Sequence, residues 1–155
     1  MSVSFFDVTA TPLPESSDLH PRIGPNDFLD CYCVESDMAP REAAEIITTF
    51  PGWAQALSVL RNVLVKPIGL KTEAPTDTDC VGIFPVESQS DTEVIAGFDD
   101  SHLNFRVSVL SQGGKLFLAT WVHRNNLFGR MYLATIMPFH ILIARDALVR
   151  VARAA

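Results

Sequence analysis

Cysteine is scarce in this chain, with three residues, Cys31, Cys33 and Cys80. An odd count without framework spacing argues against a disulfide scaffold. Cys31-Tyr32-Cys33 is not the CxxC of a redox or zinc site, and no second Cys or His pair completes a ligand set. No metal is therefore expected, and the thiols read as reduced, buried, small apolar side chains. The motifs that carry common chemistries are missing too: no GxGxxG, no phosphate loop, no HExxH and no nucleophile elbow. No cofactor is expected. Basic residues are outnumbered, 12 to 18, and a formal charge of −6 argues against a nucleic-acid partner, because such binding rests on basic surface. The first twenty residues lack the basic start and apolar run of a signal peptide, so a cytoplasmic location is expected. Acidic residues all but vanish after residue 100. Residues 101–155 carry one acid and seven bases, whereas residues 1–100 carry 17 acids and five bases. Halves of opposite sign attract one another when packed; alternatively, the basic end holds an acidic ligand or partner.

What is present is a globular balance. At 155 residues, 48% of them hydrophobic, the chain suits one domain with a core that needs no covalent staple. Residues 1–26, broken by Pro12, Pro14, Pro21 and Pro25, read as an extended N-terminal arm, and residues 27–155 as the single domain. FLDCYCVE, 28–35, reads as a strand. Ser36 or Asp37 can cap a helix that has Pro40 in its first turn and continues through REAAEIITTF. After Pro51-Gly52, the spacing of Trp53, Ala56, Leu57, Leu60, Val63 and Leu64 predicts a second, amphipathic helix ending before Pro67. Four strand-like runs follow the polar stretch KTEAPTDTD: CVGIFPVES, TEVIAGF, HLNFRVSVL and KLFLATWVH. SQGGK between the last two is the firmest hairpin signal, because Gly113 and Gly114 tolerate positive φ. The third run alternates, with Leu103, Phe105, Val107 and Val109 on one face and His102, Asn104, Arg106 and Ser108 on the other. These runs predict an antiparallel meander with one face covered.

Asn125 or Asn126 can cap a last helix, which Pro138 should kink or restart at FHILIARDALVRVARAA. Between Met131 and Ala144 only Thr135 and His140 are clearly polar. These fourteen residues fall short of the roughly 20 needed to span a bilayer. A helix buried along its length under a curved sheet is expected, without stable membrane insertion. His140 reads as a hydrogen-bonded core or interface residue. Arg145, Arg150 and Arg153 suit a helix C-terminus through its dipole and need no ligand.

The stretches LRNVLVKPIGLKT, GIFPVES, DDSHLNFRVSV and VHRNNLFGRMYLATIMPFHILIAR, taken in order, resemble a bacterial domain family of unknown function, number 2867 of its kind. The similarity covers roughly residues 27–152. Members resembling this chain occur alone or fused behind an NAD(P)-binding, reductase-like domain, whose glycine fingerprint this chain lacks. The family carries no established activity, so the resemblance transfers no catalytic residue. The order of elements is similar to the helix-grip fold of START, polyketide-cyclase and birch-pollen-allergen-like proteins. The expected fold is therefore α+β, with a curved antiparallel sheet wrapped around a long C-terminal helix and two short helices after the first strand.

Three functional readings follow. In the first, a cavity between sheet and C-terminal helix binds a small hydrophobic molecule such as a lipid, aromatic or polyketide-like compound. Its walls would be Phe105, Trp121, Met131, Tyr132, Ile136 and Phe139, with His123 and Arg130 as polar groups at the mouth. The competing account makes the same apolar residues ordinary core, and His123 and Asn125 turn and cap residues. In the second, the scaffold is an enzyme of cyclase or hydrolase type. His102 or His123 is then the base, and Arg106 or Arg130 polarises an oxygen. Asp99 and Asp100 lie close to His102 and Arg106 in sequence, but the same cluster also reads as a solvated outer strand face. In the third, the apolar helix completes a homodimer or docks on a reductase-like partner.

Overall fold

The computed structural model describes residues 7–49, 79–82, 84–99 and 102–154. The predicted second helix, and Asp100 of the polar cluster, lie outside these residues. Seven strands form one antiparallel sheet: β1 (Thr9–Ala10), β2 (Phe28–Glu35), β3 (Cys80–Val81), β4 (Phe84–Gln89), β5 (Glu93–Asp99), β6 (Leu103–Gln112) and β7 (Lys115–Arg124). Their order is β1-β2-β7-β6-β5-β4-β3, so the predicted meander runs from β7 back to β3 and the first long strand joins it beside β7. Two α-helices are described, α1 (Pro40–Ile47) and α2 (Leu127–Ala154). This is an α+β, helix-grip-like arrangement.

Local chemistry explains the elements. The β6–β7 hairpin closes from Gln112 to Lys115 through two residues only. Gly113 and Gly114 both take positive φ there, +61° and +77°, which matches the twist of the strands. At the start of α2, Asn126 Oδ1 accepts the Gly129 N–H at 3.0 Å, an N-cap of the expected kind. A Cβ on Gly129 would lie 2.2 Å from the His102 carbonyl oxygen, so the absent side chain lets the helix start tight against the head of β6. The helix then runs on through Pro138 as one element rather than restarting there.

Strand parity sorts the side chains into two faces. One carries Phe28, Asp30, Tyr32 and Val34 of β2, Leu103, Phe105, Val107 and Val109 of β6, and Leu116, Leu118, Thr120 and Val122 of β7. Here α2 packs on β2 and β7, and α1 on β5, β6 and α2. Ala144, Ala147, Leu148, Val149 and Val151 of α2 meet Ala43, Ala44 and Ile47 of α1 and the sheet in the main core. The first half of α2 departs from the expected lengthwise burial. Leu133 is buried against Leu103 and Val122, but Leu127 is 71% exposed, Met131 61%, Leu142 47% and Phe139 44%. Read over all 28 residues, α2 is long and apolar enough to cross a membrane by length and composition; the shorter sequence count stopped at its least polar stretch.

The other face was expected to be open, and it is not. Leu13, Leu19 and Ile23 of the N-terminal arm pack on Leu29, Cys31, Ile95, Phe117, Ala119 and Trp121. Arg106 and Ser108, two of the four polar residues expected on a solvated strand face, are buried as well, whereas His102 and Asn104 stay partly exposed. Glu93 accepts hydrogen bonds from the hydroxyls of Ser17 and Ser108, and from the Asp18 N–H at 2.7 Å. A buried carboxylate with three donors on it is a satisfied one, and these donors tie arm to sheet. Coverage of both faces explains why Cys31 to Val34 are buried without alternation.

Candidate functional site

The two faces separate residues that sequence grouped together. Trp121 and His123 lie on the arm face, opposite Arg106 and Asn104 of β6, whereas Phe105 and its partner Val122 lie on the helix face. Trp121 and His123 therefore cannot wall a cavity between sheet and α2. Parity alone placed them together correctly, but not on the side that the helix covers.

On the arm face, Asp27 organises what surrounds it. Its side chain is 5% exposed and accepts from the Trp121 indole N–H at 2.9 Å and the Gly24 N–H at 2.7 Å, both on Oδ2. Oδ1 lies 2.6 Å from His123 Nδ1, and the imidazole is half exposed. Burial pushes the Asp27 carboxyl up, but the bonds from His123, Gly24 and Trp121 outweigh it and hold the group below its ordinary range. The pair fixes the imidazole with Nδ1 toward the acid. The Arg22 guanidinium, from a 3-10 turn at His20–Arg22, sits 5.5 Å from the centre of the Trp121 ring. Arg22 also reaches Glu87. Arg106, at 7% exposure, gives its Nε to Glu87 at 3.2 Å and its Nη1 to Asp99 at 2.9 Å and to the Phe105 carbonyl at 2.7 Å. A guanidinium so engaged is structural rather than poised for a substrate oxygen. His102 takes its Nδ1 to the Asn126 side-chain nitrogen at 2.9 Å and lies over Phe128, 4.6 Å between ring centres. It buttresses the start of α2.

On the helix face, Phe105, Tyr132 and Ile136 pack, partly buried, around Leu103, Val122 and Leu133 in a small core cluster. Met131 and Phe139 do not join them and point outward. Arg130 is exposed and borders a small surface cavity of about 280 Å³ with Arg124, Asn125, Asn126 and Leu127. A larger and equally open cavity of about 650 Å³ lies at the opposite end, among Glu35, Asp37, Met38, Glu42 and Lys115. Apart from Arg130, neither is lined by any residue expected to form the ligand cavity. Three phenylalanines line the far side of the helix face. Phe98 and Phe105 are 4.7 Å apart between centres, Phe84 and Phe105 5.3 Å, and each of the three is only partly buried.

His140 finds a partner on this face. Its Nε2 is 2.9 Å from Asp30 Oδ2, and the Phe28 ring stands edge-on to it. The hydrogen bond expected for His140 is present, and its partner Asp30 was not a sequence candidate; an acid within the apolar run of β2 was the available signal. Asp27 and Glu93 were also passed over, and nothing in the pattern around them marked them. No group of three or more metal-ligating side chains occurs among the described residues.

An antiparallel sheet carrying a long C-terminal helix on one face defines the class as α+β and helix-grip-like. The chain belongs to the family described as Protein of unknown function (DUF2867), which matches residues 22–147. No curated protein and no solved structure matches it.

Proposed function

We propose that this domain binds a small apolar molecule on the helix face, between the first half of α2 and the aromatic end of the sheet. The observation that carries the reading is the trio Phe84, Phe98 and Phe105. They share the face on which α2 packs, yet each stays partly exposed, while α2 lies over β2 and β7. Aromatic surface left half open beside an apolar helix is what an apolar ligand covers. Phe105, Tyr132 and Ile136 form the floor and near wall, Met131 borders the opening, and Trp121 and His123 play no part. With its thiols reduced, the protein would meet this ligand in the cytoplasm.

The fluorescence of N-phenyl-1-naphthylamine tests this reading. The expected result is saturable binding that Met131→Glu, at an exposed position, weakens about tenfold with an unchanged melting temperature. Absence of saturable binding, or an affinity unchanged from the unmodified protein in both Met131→Glu and Phe105→Ala, would sink the proposal.

One observation favours the interaction reading as a second. Leu127, Met131, Phe139 and Leu142 make a stripe of exposed apolar residues along α2. Light scattering decides it: a dimer that Leu142→Glu dissociates supports it, and a monomer at all concentrations removes the homodimer.

A further inference from the structure

A carboxylate inside the same face gives the ligand site a polar end. Asp30 projects from β2 beneath α2, and His140 satisfies its Oδ2. Its Oδ1 is buried and meets no hydrogen-bond partner among the described residues. A buried acceptor without a donor is costly, and on a charged group more so, so such an atom calls for a donor from outside the protein. The nearby cation is committed elsewhere: the Arg145 guanidinium lies 5.0 Å from the centre of the Tyr32 ring and donates to the Val8 carbonyl at 2.7 Å.

The place of Asp30 connects it to the apolar face. Asp30 pairs with Thr120, Thr120 with Val107, and Phe105 is the next residue of β6 on the same side. Two strand spacings, roughly 10 Å, separate Asp30 from Val107. Above this row, Tyr132, Ile136 and His140 recur at four-residue steps and so share one side of α2. That side runs from the aromatic end to the carboxylate, with the Thr120 hydroxyl beside it.

We propose that Asp30, positioned by His140, is the polar anchor of the ligand site and selects an apolar molecule that ends in a hydroxyl group, an alcohol or phenol, over the corresponding acid. This rests on the apolar-ligand reading above. The hydroxyl donates to Oδ1 and the apolar remainder lies along Val107 and Phe105. An ionised acid has no proton to donate and would set its charge against that of Asp30.

The test is displacement of N-phenyl-1-naphthylamine by 1-dodecanol and by dodecanoate at neutral pH. The unmodified protein should take the alcohol at least about tenfold more tightly, the lower range of a hydrogen bond to a charged group. In Asp30→Asn the amide oxygen can accept from His140, which turns a donor toward the ligand. The preference should then fall about tenfold or reverse. A wild-type protein that binds alcohol and acid alike overturns the anchor while leaving the apolar site standing, and this readout does not depend on any variant folding. An unchanged preference in a folded Asp30→Asn protein does the same. Failure of the probe itself to bind overturns the underlying reading and the anchor with it.

Discussion

Asp27 shows how much a single side chain can hold. It joins the arm to the end of β7 through Trp121 and His123, and its carboxyl lies below the ordinary range despite burial. Because the folded value is depressed, the stabilisation is complete above the unfolded value of about 4 and is lost as pH falls through the folded one. Thermal melts followed by tryptophan fluorescence should therefore show the melting temperature dropping below about pH 4. An Asp27→Ala protein should be less stable by about 1–3 kcal/mol at neutral pH, with a flatter acid limb. The thiols make a second prediction. Burial, with Cys33 and Asp30 nearby, pushes the Cys31 thiol up to about 12, and Cys33 is buried beside it. In a native protein a thiol reagent should modify Cys80 well before either, and all three should react on unfolding. Equal rates would mean that the arm does not cover the strand.

At the scale of elements, much was legible because it depends on neighbours in sequence. The Gly113-Gly114 turn, the Asn126 cap, the alternation of β6 and the helix after Pro40 are each dictated within a few residues. What covers each strand face is not local. The arm has no periodicity, so its leucines gave no sign that they would cover Trp121 and bury Arg106 and Glu93. The same limit misplaced Trp121 of the expected ligand wall and His123 at its mouth: parity linked the two correctly and could not say which side the helix would take. Apolar content likewise suggested burial along all of α2, whereas the main core takes only its second half, where Ala144 and Ala147 are small, and the first half buries only Gly129 and Leu133. The contact at the helix start gives a test. Gly129→Ala should destabilise the protein even though alanine favours a helix interior by about 1 kcal/mol, because the new Cβ meets the His102 carbonyl. A stabilised variant would show that the helix start is free to lift.

For the whole molecule, the two faces divide the work. The arm face is closed by paired polar groups that leave little chemistry free: Arg106 is spent on Glu87 and Asp99, and Glu93 on the arm. Its His123 pairs with Asp27, and neither of the two cavities described includes His123. The helix face is closed at the end where α1 and the second half of α2 meet, and apolar but half open at the end of Phe84, Phe98 and Phe105. The proposed function is that this open end receives an apolar molecule. Methyl-labelled NMR titration with 1-dodecanol addresses it most directly. Saturable shifts are expected at Val107, Val122, Leu133 and Ile136, with Leu13, Leu19 and Ile95 of the arm face unmoved. Shifts confined to the arm face, or no saturable shift at any methyl, would contradict it.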